Sequence, residues 1–83
     1  MKGYSNGYIK VLRFEFQTEI MPILKNLKYL DPRENFILRM RYGIEPYEQT
    51  YTFREIAKAF GVHPSRIQVL LKRAIKKLKK GGN

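Results

Sequence analysis

The side chains with the plainest chemical purpose lie at and just beyond the window Phe53 to Lys72. There Ser65, Gln68, Val69, Lys72, Arg73 and Lys76 recur on one side of a would-be helix. A Ser or Gln can exchange hydrogen bonds with base edges, a Val can pack on a thymine methyl, and Lys or Arg can neutralise phosphates. This is chemistry for recognising a polyanion, not for breaking a bond. The chain offers little for catalysis: it has no Cys, a single His63, and no Gly-rich phosphate loop of a known kind. Neither a catalytic triad nor a metal cluster can be assembled from such a set, so the expectation is a non-enzyme without cofactor or metal.

Charge placement agrees. The 83 residues carry a formal net charge of +10, unevenly spread. Residues 1–55 hold nine Lys or Arg against all seven acids, whereas residues 56–83 hold eight Lys or Arg and no acid. A solvated basic tail would also produce such a run. Because the run follows a would-be recognition helix, contact with double-stranded DNA is the stronger reading.

For those side chains to share a face, the window must fold as a helix-turn-helix. Ala57 supplies the small residue where two helices touch, and Gly61, four positions on, supplies a left-handed turn. Ile56, Phe60, Val62, Ile67 and Leu70 are spaced to close the helices on each other. Thr52 with Glu55 forms a capping box that opens the first helix. The second runs from Pro64 to about Lys79, ~24 Å at 1.5 Å per residue, with Ile67, Leu70, Leu71, Ala74, Ile75 and Leu78 turned inward. His63, just before it, has three readings: a helix cap, a phosphate contact or a pH-sensitive group.

Upstream, Asp31-Pro32-Arg33-Glu34 combines an N-cap acceptor, a first-turn proline and a capping-box Glu. Phe36, Ile37, Met40 and Tyr42 give that helix an apolar side, Arg33, Arg39 and Arg41 give it charge, and Gly43 stops it. A loop through Pro46 and Thr50 follows. Ile20, Ile23, Leu24 and Leu27 predict another helix from about Thr18 to Tyr29 or Leu30, with Pro22 tolerated only in a first turn. Ile9 to Phe16 keeps no single period and fits a short strand or a helix. Met1 to Gly7 are expected to be mobile and residues 81–83 to form a disordered tail. The predicted fold class is all-α: a small helical domain over 30–80 with a C-terminal helix-turn-helix, preceded by an extension over 1–29 that could serve as a partner or dimer contact.

Residues 30–80 resemble region 4 of the sigma-70 family of bacterial transcription initiation factors. The strings that carry the resemblance are Leu30-Asp31-Pro32-Arg33-Glu34, Leu38-Arg39-Met40-Arg41-Tyr42-Gly43-Ile44, Thr52-Phe53-Arg54-Glu55-Ile56-Ala57, Phe60-Gly61-Val62, Arg66-Ile67 and Ala74-Ile75-Lys76-Lys77-Leu78. The resemblance implies promoter binding, and docking on the flexible flap of the RNA polymerase beta subunit. By position, Arg33, Arg41, Arg54 and Lys58 would meet DNA phosphates, with the backbone N–H of Phe53 adding a contact at a helix N-terminus. Tyr42, Ile44, Ile75 and Leu78 would line the surface that receives the flap, although each also reads as core.

The chain departs from the family pattern where bases are read. In place of a Ser or Thr cap followed by Arg-Glu-Arg-Ile-Arg-Gln it has His63-Pro64-Ser65-Arg66-Ile67-Gln68-Val69. Only Arg66 and Ile67 are retained. Losing a bidentate Arg removes the commonest guanine contact, so the usual upstream promoter element should not be bound in the usual way. Three functions follow. The first is a promoter-binding, polymerase-docking factor; the second is a polymerase- or sigma-binding protein that modulates transcription without reading sequence, suggested by Val69-Leu70-Leu71. The third is a dimeric operator-binding repressor using residues 8–30. Since 83 residues leave no room for the family's promoter-melting domain, the chain is expected to be a fragment or a stand-alone factor, with a second sigma-like subunit as a candidate partner. No stretch reaches the ~20 apolar residues of a membrane span, and the expected location is the cytoplasm of a bacterial or phage-infected cell.

Overall fold

Two capping boxes fix where the main helices begin. In the computed structural model, which describes residues 6–81, helix α2 (Pro32–Tyr42) starts at Asp31. Asp31 Oδ1 accepts the Glu34 N–H at 2.8 Å, and Glu34 Oε1 accepts the Asp31 N–H at 3.1 Å. Helix α3 (Phe53–Phe60) repeats the device with Thr52 and Glu55, at 3.0 and 2.9 Å. Each box satisfies two N–H groups that a helix start would otherwise leave unpaired, and a cap of this kind is worth ~1 kcal/mol. Helix α4 (Pro64–Lys80) begins on His63.

Left-handed glycines end the helices. Gly43 and Gly61 both sit at φ 68°, where a Cβ would crowd the following carbonyl. At the α3 end, Gly61 N–H reaches Lys58 O at 3.3 Å and Val62 N–H reaches Ala57 O at 3.0 Å. These paired bonds form a Schellman motif, and they leave three residues to turn into α4. The Val62 backbone closes this turn while its side chain stays 40% exposed. Val62 therefore does not close the two helices on each other, which Ile56, Ala57, Ile67 and Leu70 do, with Phe60 packed at their margin.

Helix α2 buries an unexpected stripe. Glu34, Ile37, Leu38, Met40 and Arg41 are buried, while Phe36 is 47% exposed. Positions 34, 37, 38 and 41 follow the spacing of one helix face, and two of the four are charged, which shifts the apparent apolar side by one residue. The burial is compensated. Glu34 belongs to the capping box and also accepts Lys77 Nζ from α4 at 2.8 Å. Arg41 lies 4.1 Å from the Phe53 ring centroid and donates from Nη1 to Tyr51 O at 3.2 Å. Because Tyr51 N–H also reaches Met40 O at 3.0 Å, the 43–52 loop is tied across the end of α2, and α3 is aimed from there. Arg39 adds further ties, to Asn35 Oδ1 at 2.6 Å and to Glu45 O.

Among the described residues the N-terminal part is helical and holds no strand. Helix α1 (Asn6–Glu15) passes into a π-helical turn (Phe16–Ile20) and then a 3₁₀ segment (Met21–Tyr29) kinked at Ile23, φ −117° and ψ 15°. The helix expected from Thr18 thus starts afresh at Met21, because Pro22 is admitted only in a first turn. The fully buried Ile20, with Ile23, Leu24 and Leu27 partly buried, ties this part to the core of α2, α3 and α4. Asn6 and Gly7 open α1, and Gly81 caps α4 at φ 62° rather than belonging to a tail. The remaining residues expected to be mobile or disordered, 1–5 and 82–83, lie outside those described.

Candidate nucleic-acid interface

Helix α4 is a two-sided element. Its 17 residues, about 26 Å long, bury Ile67, Leu70, Leu71, Ala74 and Leu78 and expose Ser65, Arg66, Gln68, Val69, Lys72, Arg73 and Lys76. The exposed side contains no acid. Val69 is 42% exposed, so the face combines one apolar contact with hydrogen-bonding and cationic groups. Such a mixture suits a groove edged by phosphates and floored by base edges.

The head of α4 is organised by His63. Its Nδ1 accepts the Ser65 N–H at 3.2 Å and lies 2.9 Å from Ser65 Oγ. To accept, Nδ1 must be unprotonated, so a neutral ring carries its proton on Nε2, directed away from the cap. Helix α3 exposes Arg54 and Lys58 one turn apart. The N–H groups of Phe53 and Arg54, first in α3, stand outside the helical ladder, where an anion is favoured.

A second cluster of charge was only partly legible. Arg33, at the exposed start of α2, shares a cleft of about 630 Å³ with Arg73, Lys76, Lys77 and Lys80 of α4, against Asp31 and Glu34, the latter paired with Lys77 at 2.8 Å. Lys77 and Lys80 were absent from the expected contacts, though the acid-free run after residue 55 was the signal for them. Arg41 stands apart from all of these. At 8% exposure, with its guanidinium against Phe53 and Tyr8, it supports the fold and does not reach the surface as a phosphate contact.

The four residues expected to line a protein-docking surface are also divided. Leu78 is fully buried, and its carbonyl accepts Asn26 Nδ2 from the 3₁₀ segment at 2.8 Å. It is core, because the N-terminal part packs on it. Ile44 and Ile75 are half-buried against the core. Tyr42 is half-buried, with the Phe16 ring centroid 6.3 Å from its own. Burial, reinforced by the Glu15 carboxylate, pushes the Tyr42 phenol from 10.0 up to about 12, so it stays protonated at neutral pH. Among the described residues no group of three or more His, Cys, Asp or Glu could hold a metal ion, and no helix is long and apolar enough to cross a membrane.

Two helices joined by a left-handed glycine turn, the second offering solvent an acid-free cationic side, define a helix-turn-helix domain of the DNA-binding class. Residues 27–80 match the family model described as Sigma-70, region 4. That match spans well over half of the chain, and the chain belongs to this family of transcription domains. No curated protein and no solved structure matches it.

Proposed function

We propose that the protein binds duplex promoter DNA through the head and exposed side of α4 and docks on RNA polymerase through the surface around Tyr42, Ile44 and Ile75. The observation that carries this reading is the division of α4, whose buried side is wholly apolar while Ser65, Gln68, Val69, Lys72 and Arg73 remain open. Arg66 and Lys76 extend the same side, and Arg33, Arg54, Lys58 and the Phe53 N–H would hold flanking phosphates. Gln68 would pair with adenine and Val69 would cover a thymine methyl, a weak preference for A·T pairs. The beta-subunit flap is the polymerase element this reading favours. Footprinting of promoter DNA by polymerase with and without the protein tests it: protection that depends on both supports it, and a footprint unchanged by the protein contradicts it.

A second reading rests on the apolar exposures at Val62 (40%) and Val69 (42%), which suit a protein partner as well as a thymine methyl. The chain would then bind polymerase or a second sigma-like subunit and modulate transcription without reading sequence. Reversing charge at Lys72 and Arg73 separates the two. Loss of transcriptional activity supports DNA contact, whereas intact activity together with its abolition by Ile44→Ala supports the protein-only reading.

A further inference from the structure

The N-terminal part is fastened unevenly. The 3₁₀ segment is tied to α4 by the Asn26 to Leu78 hydrogen bond of 2.8 Å, and Ile20, just before it, is fully buried. Helix α1 is held by fewer core contacts, Leu12 and the Tyr8 ring 5.4 Å from the Arg41 guanidinium. Its one core-depth side chain among those described is Leu12, at 3% exposure, while Val11 and Phe14 are 58% and 67% exposed. Between α1 and the loop after α2 lies an open cleft of about 470 Å³, where Ile9, Leu12, Phe16 and Tyr42 meet the polar Arg13 and Glu48. The link from α1 to the firmly held part is the π-helical turn Phe16–Ile20, followed by the kink at Ile23. Such turns are uncommon inside helices and recur where function requires a departure from regular winding.

What this loosely held element covers is Tyr42. Phe16 leans on the Tyr42 ring, and Ile9 and Leu12 share its cleft. From these contacts we infer that α1 and the π-helical turn form a cis-acting cover over the Tyr42 surface, which RNA polymerase must displace before it can dock there. The inference rests on the reading of Tyr42 and Ile44 as polymerase contacts. The 3₁₀ segment stays in place and acts as the fixed end, while α1 lifts about the turn and the kink. A closed cover lowers the apparent affinity by the fraction of time it is open.

The test uses the full chain with Leu12→Asp, which places a charge in the α1 contact. A second variant, Phe14→Pro, breaks α1 without touching the core because Phe14 is exposed. For each, thermal unfolding checks the α2–α4 domain, phenol titration of Tyr42 reports whether the cover has lifted, and affinity for RNA polymerase is measured. The expected result is a Tyr42 titration returned from about 12 toward 10.0, with polymerase bound about 10-fold more tightly if the closed cover opens one tenth of the time. Equal or weaker binding with Tyr42 released overturns the cover and leaves the docking reading standing. A Tyr42 titration unchanged in both variants overturns it as well, since α1 would not be what buries the ring. If neither wild type nor variants bind polymerase, the docking reading fails and the cover falls with it.

Discussion

Residues 31–81 and residues 6–29 are built by different means. In the first region each helix has a local start and stop, with Asp31/Glu34, Thr52/Glu55 and His63 opening and Gly43, Gly61 and Gly81 closing. In the second, the π-helical turn and the 3₁₀ segment start without a side-chain cap, and the winding changes twice in 15 residues. Signals encoded within a few residues specify the first region whatever surrounds it. The second takes its shape from the surface it lies on.

The sharpest way to break this comparison is to remove a core side chain from each region. Ile37→Ala, at a fully buried position of α2, should destabilise the whole domain by ~3–4 kcal/mol in urea unfolding. Leu12→Ala should cost the global transition less than ~1 kcal/mol, because α1 opens locally before the rest unfolds. Hydrogen exchange should show α1 amides less protected than those of α2 and α4. Equal protection would mean that the two regions are one cooperative unit.

Arginines sharpen the comparison next. Arg41→Ala should lose ~2 kcal/mol of stability, since it removes the stack on Phe53 and leaves the Tyr51 carbonyl without its guanidinium partner. Arg54→Ala, at an exposed site, should stay within ~0.5 kcal/mol while weakening DNA binding. The reverse pattern would restore Arg41 to the interface.

Turn geometry gives a smaller effect. Gly61→Ala meets no atom within 4 Å, so its cost should be the left-handed backbone alone, ~1–2 kcal/mol. Gly43→Ala should cost about the same, because its Cβ would meet the Gln49 carbonyl carbon at 3.4 Å, an ordinary van der Waals contact, at the same φ of 68°. Thermal melts of the two variants check that they agree.

The smallest expected effect is a pH dependence. A Tyr42 phenol raised in the fold holds its proton longer than in the unfolded chain. The associated stability is therefore whole below pH 10.0 and lost as pH rises toward about 12. Stability curves of wild type and Tyr42→Phe should diverge in that window, and parallel curves would show that burial does not perturb the phenol.

The same contrast explains what could be read from the sequence. Both capping boxes, the stops at Gly43 and Gly61, the inward stripe of α4 and its exposed side were legible because each is a local pattern. Phe36 and Arg41 lie elsewhere than expected, and Leu38 joins the core, for one reason: the buried stripe of α2 admits Glu34 and Arg41, whose partners Lys77, Tyr51 and Phe53 lie outside the helix. Leu78 reads as core from the α4 stripe and as a docking residue from the family resemblance, and burial beneath the 3₁₀ segment, with Asn26 on its carbonyl, decides for core. The His63 cap has a local signal too, since a residue preceding Pro64 at a helix start stands at the N-cap.

The central claim, that α4 presents its exposed side to duplex DNA, is tested most directly by titrating duplex DNA with the protein and its Lys72→Ala variant across a range of salt. The account predicts that log affinity falls linearly with log salt, by about 0.9 per phosphate neutralised, and that the variant's slope is shallower by about that amount. Affinity insensitive to salt, or a slope unchanged by removing Lys72, would contradict it.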